Sequence, residues 1–252
     1  MIQDKNRKEK EVVTAINQQI DAYTEKNIYD FDNKIVLQYY PKRIIEKMGK
    51  CEELSLLELG LGHGYSAVEF QDKVMRHTIL DGDKTVIDRF IKKYGKHHMN
   101  IIHTFFENYE TNEKYDFIVA GFVLEHVENP LFILQKYKMM LKDEGRMFVV
   151  VPNAESLNRR IGYEAGMLSN ILQLSDTDRA FGHKRYYTEE SVRAVCELAG
   201  LQIKSVEGVY LKPLTTKQMM SLNFDESVLQ SFCVVGRKYP ELCTAILLEC
   251  VL

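Results

Sequence analysis

The chain has 252 residues, enough for one full hydrophobic core with a small added lobe. Its 33 Lys and Arg against 36 Asp and Glu leave a net charge of −3, which argues against nucleic acid as a partner. No apolar run reaches bilayer length and the polar start Met1-Ile2-Gln3-Asp4-Lys5 lacks a signal-peptide core, so a cytoplasmic protein without membrane insertion is expected.

Residues 6–25 have helical periodicity, with Val12, Ile16, Ile20 and Tyr23 recurring at three- and four-residue steps. A second helix is expected from about Asn33 to Met48, kinked or restarted at Pro41 and capped by Gly49. Residues 1–50 therefore read as a helical cap and 51–252 as the main domain. Tyr29, Tyr39 and Tyr40 of the cap could reach a pocket, or simply pack on the sheet.

The apolar run Leu54–Leu59, broken only by Ser55 and Glu58, has the length of a buried strand. It runs into Gly60, Gly62 and Gly64, then into Tyr65-Ser66-Ala67-Val68, which has helical spacing. Strand, glycine turn and helix open a βαβ unit whose turn can hold a ligand. Glycine accepts positive φ and presents no Cβ, and the helix start offers unpaired N–H groups. A dinucleotide fingerprint G-x-G-x-x-G would need glycine at 65, where Tyr65 stands. The pattern is instead E-x-G-x-G-x-G, and an acid so close to the turn suits a cationic ligand group better than a pyrophosphate. Glu58-Leu59-Gly60-Leu61-Gly62-His63-Gly64 resembles the first motif of the class I S-adenosylmethionine (SAM) methyltransferases.

A second strand ends in Asp81-Gly82-Asp83. A carboxylate there can accept both hydroxyls of a ribose. Asp83 is preferred because Thr85 begins the next helix, although that position also suits a helix cap. That helix should end at Gly95; His97, His98 and His103 beyond it read as solvated loop rather than as metal ligands. After the third strand (99–104), the resemblance implies that Phe105 or Phe106 stacks on an adenine and that Glu107 or Asn108 lies near its edge. Core packing of one Phe is the alternative.

Tyr115–Gly121 reads as a central fourth strand, placing Ala120 and Gly121 against the cofactor. The continuation Phe122-Val123-Leu124-Glu125-His126-Val127-Glu128-Asn129-Pro130 is similar to the methyltransferase subgroup containing the ubiquinone-pathway O-methyltransferases. Some of that subgroup bind a metal through a Glu-x-x-Glu-His run. Here Glu125-His126 is kept but Phe122 replaces the first Glu, so no metal is expected. The resemblance implies an α/β three-layer sandwich: a seven-stranded, mostly parallel sheet with its last strand antiparallel. A fifth strand (146–151) precedes an insertion, about 155–187, of the kind that builds substrate pockets. The resemblance spans about residues 55–205.

Methyl transfer from a sulfonium needs alignment more than a protein nucleophile. A hydroxyl acceptor must still lose a proton, and His126 or His183 is the expected base; a structural role for His126 is the alternative. Arg159, Arg160, Arg185 and Tyr186 could hold a small-molecule acceptor, with solvent-facing charge as the alternative for the arginines. Cys51, Cys196, Cys233, Cys243 and Cys250 are scattered and odd in number, which predicts reduced thiols. The reading is an O-methylating enzyme, monomer or homodimer. A non-catalytic SAM-binding scaffold is the rival, and a nucleotide-dependent oxidoreductase is disfavoured by Tyr65.

Overall fold

The computed structural model describes residues 30–252. The expected helix over 6–25, and Tyr29, lie outside the described residues. The first described helix, α1 (Asp30–Met48), continues through Pro41 instead of restarting there. An interior proline costs about 3 kcal/mol. The helix offsets that by burying Val36, Tyr40, Pro41, Ile44 and Met48.

Seven strands form one sheet in the order β3-β2-β1-β4-β5-β7-β6. They are β1 (Ser55–Leu59), β2 (Arg76–Asp81), β3 (Asn100–His103), β4 (Tyr115–Gly121), β5 (Leu141–Pro152), β6 (Gln202–Val209) and β7 (Ala245–Val251). β1 to β5 pair in parallel, while β7 runs antiparallel between β5 and β6. The expected sheet is therefore the observed one. β5 begins earlier than its apolar run, because Leu141 pairs with Tyr115 across a register shift and carries the polar Lys142–Glu144 into the strand.

Side chains alternate across the sheet. In β4, Ile118 and Ala120 enter one core layer, with Tyr137, Val192 and Leu201. Phe117 and Val119 enter the other, with Tyr40, Ile44 and Phe70. Two helices that frame the site are α2 (Tyr65–Phe70) and α3 (Lys84–Tyr94). The strand order reverses between β1 and β4, so their C-terminal ends diverge and leave a crevice. The expected insertion contains two helices, α5 (Leu157–Glu164) and α6 (Asp176–Ala180), after α4 (Pro130–Lys138). All five cysteines are free and buried. Among the described residues no helix is long and apolar enough to cross a membrane.

Charge ties α1 to the far edge of the sheet. Arg43 donates Nε to Glu207 Oε2 at 2.6 Å and Nη2 to Oε1 at 2.8 Å, and Lys47 pairs with the same carboxylate at 2.8 Å. Burial alone would raise the Glu207 pKa. The bonds from Arg43 and Lys47 outweigh it and hold the group at about 2. A carboxyl depressed on folding stabilises above its unfolded pKa of about 4.3 and loses that contribution as pH falls toward its folded value. Glu207→Gln is expected to cost about 1.5–3 kcal/mol at pH 7, the range for hydrogen bonds to charged groups. The difference from the parent should shrink by pH 3. Urea denaturation at both pH values measures it.

Candidate active site

The crevice opens into a cavity of about 960 Å³ above the strand C-termini. At one end lies the glycine turn. Gly60, Gly62 and Gly64 all have positive φ (82°, 49° and 81°). The turn is pinned from β2: Leu61 N donates to Asp81 Oδ2 at 2.8 Å, and Gly60 N to the Leu80 carbonyl at 2.8 Å. A Cβ on Gly62 would point into open space, so this residue is the point of close approach for a ligand.

Two acids differ from their expected places. Glu58 does not line the cavity; it is 1% exposed beneath the turn. Ser66 Oγ donates to its Oε1, and His77 Nε2 lies 2.9 Å from Oε2. Both oxygens are thus engaged within the protein, by residues on α2 and β2. Glu58, which its place before the turn suggested as a contact for a cationic ligand group, is not in the cavity wall.

The second concerns the end of β2. Asp83 Oδ1 accepts from Thr85 N at 2.7 Å and from Val86 N at 3.4 Å, so this acid caps α3 at the cavity rim. Asp81 is the more enclosed of the pair, and burial raises its pKa against the backbone N–H bonds from Asp83 and Leu61. The capping sequence Asp83-Lys84-Thr85 was the legible signal for that division of roles.

Phe105 and Phe106 both line the cavity. Phe105 is 64% exposed and lies against the Gly82 backbone, where a Cβ would come within 2.9 Å of its ring. Gly121 also lines the cavity, facing the Tyr40 hydroxyl. Ala120 is in the core layer below, and the Glu107 backbone carbonyl accepts from Lys136. Neither is part of the cavity wall. Tyr40 lines the cavity, whereas the Tyr39 hydroxyl accepts from Arg237 Nε at 2.5 Å.

At the far end His126 and His183 meet with ring centroids 4.8 Å apart at 83°. Burial lowers both pKa values, that of His126 to about 4, with His183 adding to the effect; both rings are neutral near pH 7. Glu125 had no expected site role, yet it is fully buried at the cavity wall and neither carboxyl oxygen has a hydrogen-bond partner. Burial raises its pKa to about 8. Phe122, with φ 57°, is a non-glycine residue in the left-handed region at this end. Its ring packs edge-on against Tyr40 at 5.7 Å.

The arginines act on the backbone. Arg185 donates to the carbonyls of Leu124, Val127 and Glu128, fixing the loop after β4, and is not in the cavity wall. Arg159 lines the cavity but donates to the carbonyls of Ala154, Ile171 and Gln173, and lies 4.2 Å over the Tyr186 ring. Arg160 donates to the Glu155 carbonyl. Tyr186 lines the cavity and donates to Asp178 Oδ1 at 3.1 Å. A further polar cluster had no local signal: Lys212 Nζ lies 2.5 Å from Asp32 Oδ2 and 2.8 Å from Thr216 Oγ1, joining two distant segments at the wall.

A family described as a methyltransferase domain matches residues 34–206. The ubiquinone biosynthesis O-methyltransferase of Aeromonas salmonicida (strain A449) is 26% identical over 126 residues, or 49% of this chain and 50% of that protein. The chain thus spans about half the length of that curated relative. A SAM-dependent methyltransferase from Mesorhizobium loti shares the fold with a TM-score of 0.58 at 13% identity, covering 85% of this chain and 99% of that one. The N-methyltransferase NodS from Bradyrhizobium japonicum WM9, solved with S-adenosyl-L-homocysteine, gives 0.56 at 14% identity, covering 90% and 88%. The family match, the strand order with its antiparallel β7 and the pinned glycine turn agree: this chain belongs to the class I SAM-dependent methyltransferases.

Proposed function

We propose that the chain transfers the methyl group of SAM to an oxygen of a small-molecule acceptor. One observation carries the reading: a single cavity has a ligand cradle at one end and acid–base side chains at the other. In this reading the backbone at Gly60–Gly64 receives the amino-acid part of SAM, and Asp81 rather than Asp83 takes the ribose hydroxyls. Phe105 and Phe106 flank the adenine. SAM supplies an activated methyl group on a sulfonium.

The acceptor's hydroxyl lies among Glu125, His126 and His183, and the neutral rings of the two histidines offer lone pairs that can receive its proton. Oxygen is favoured over nitrogen by the O-methyltransferase relatives. Arg159 and Arg185 position the surrounding loops, their donors being directed at carbonyls, and Tyr186 remains a candidate acceptor contact.

Titration calorimetry with SAM and S-adenosylhomocysteine, followed by turnover with phenols and vicinal diols, tests the proposal. Asp81→Asn should weaken SAM by about 10–100-fold, equivalent to losing about 1.5–3 kcal/mol of charge-assisted hydrogen bonding. The same change at Asp83 should leave SAM affinity within about threefold and lower stability by about 1 kcal/mol. Binding of SAM without any methylated product across the panel would favour the scaffold reading instead.

A further inference from the structure

We propose that Asp32 and Asn158, held together by Lys212, recognise the acceptor and select a neutral polyhydroxylated molecule of the sugar or cyclitol class. All three residues line the cavity. They come from α1, from the insertion's helix α5 and from the segment after β6. Lys212 joins them: its Nζ lies 2.5 Å from Asp32 Oδ2, and its carbonyl accepts from Asn158 N at 3.2 Å.

The motivating observation is a shortage of donors. Asp32 Oδ2 is served twice, by Lys212 Nζ and by Thr216 Oγ1. Asp32 Oδ1 and Asn158 Oδ1 are buried, and neither has a hydrogen-bond partner among the described residues. Buried polar atoms are almost always satisfied, so two bare acceptors in a cavity wall call for donors from a ligand. Tyr210 does not serve. Burial raises its pKa and the nearby Asp32 charge adds to the rise, yet its hydroxyl is also unpartnered and lies outside the cavity wall.

The chemistry of the pair favours hydroxyls. The Lys212 ammonium has three N–H donors, of which Asp32 and Thr216 take two. A hydroxyl both donates and accepts, so one can give its proton to Asp32 Oδ1 and take the remaining Lys212 N–H, while a second donates to Asn158 Oδ1. An ammonium would also donate, but Lys212 already neutralises Asp32, and Arg159 and Lys217 line the cavity as well, so a further cation is repelled. A carboxylate or phosphate would set its own acceptor oxygens against Asp32 Oδ1.

The pair borders the reacting end. Arg159, next to Asn158, lies 4.2 Å over the Tyr186 ring, and Tyr186 packs edge-on to His183 with ring centroids 6.5 Å apart. One hydroxyl of the acceptor therefore reacts while two others are read. A cavity of about 960 Å³ stands at the upper end of the range for ligand pockets, about 300–1,000 Å³, and has room for an acceptor beside SAM. The role as an acceptor site rests on the proposed methyl transfer; polyol binding itself does not.

The test uses the full chain with and without saturating S-adenosylhomocysteine. Pentoses, hexoses, 6-deoxyhexoses and inositols are titrated by calorimetry, with phenol and catechol for comparison, and the same compounds are ranked by methylated product with SAM. At least one polyol should be methylated with a kcat/KM about tenfold or more above that of catechol. Asn158→Ala should raise the KM for that polyol about tenfold or more, with kcat within about threefold. Its melting temperature should stay within a few degrees, because the lost oxygen has no protein partner. A monodeoxy analogue that binds the parent at least about tenfold more weakly should lose no further affinity in Asn158→Ala. Asp32→Asn should also raise KM, judged on folded protein because Lys212 then lacks its counter-charge. Preference for catechol or phenol over every polyol overturns the proposal, as does an unchanged KM in Asn158→Ala. SAM binding with no polyol bound or methylated sinks this inference alone; polyol binding without SAM binding sinks the cofactor reading alone.

Discussion

Gly62→Val should abolish SAM binding while leaving a folded protein. A Cβ on Gly62 meets nothing within 4 Å, so the protein has room for the branched side chain in the absence of ligand. That room is the cavity, and a ligand held by the backbone of the turn would have to share it. The φ of 49° is uncomfortable for a β-branched residue and should cost about 1–2 kcal/mol. A melting temperature lower by a few degrees is expected, together with SAM affinity reduced by more than about 100-fold, or ~2.7 kcal/mol. Calorimetry on the folded variant decides: unchanged affinity would remove the glycine turn from the cofactor site.

Gly64→Ala, two residues on, should do the reverse. Its Cβ would lie 2.6 Å from Phe90 Cε2 and 3.4 Å from Tyr94 Cε2, at a φ of 81°. Phe90 is 3% exposed and wedged among Leu61, Val86 and Ile87, so its ring has nowhere to retreat. Overpacking of about 1–3 kcal/mol and about 1 kcal/mol of backbone strain add to a loss of ~2–4 kcal/mol. For a chain of this size that is a fall of roughly 5–15 °C in melting temperature. The deficit should appear in SAM-free protein, where Gly62→Val shows only its smaller backbone cost. If Gly64→Ala melts with the parent, the packing of the turn on α3 is wrong. The pair separates a glycine that makes space for a ligand from one that makes space for a neighbouring helix.

Four of the five parallel strands were legible because each ends in punctuation that only its own neighbourhood needs to explain. Gly60 just after β1, Asp81-Gly82 at the end of β2, Gly121 at the end of β4 and Pro152-Asn153 at the end of β5 all stop an apolar run where a loop must start. Local sequence misled where packing outweighed it. Pro41 was expected to kink or restart α1, but the helix continues through it, held by residues it buries. The polar Lys142–Glu144 stretch gave no hint that β5 had begun.

The polar groups divide the same way. That a carboxylate stands before the turn is written at position 58; that Ser66 and His77 occupy both its oxygens depends on how α2 and β2 settle around β1. Asp81 and Asp83 are two residues apart with one chemistry between them, and only the pinning of Leu61 and the cap on α3 separate their tasks. Periodicity, turn residues and their order are properties of neighbours along the chain, and they determined the architecture and the cofactor family here. Which acids, imidazoles and cations share one wall depends on contacts between residues far apart in sequence. Folding alone decided that His183 reaches Glu125 and His126 and that Arg185 does not face the cavity.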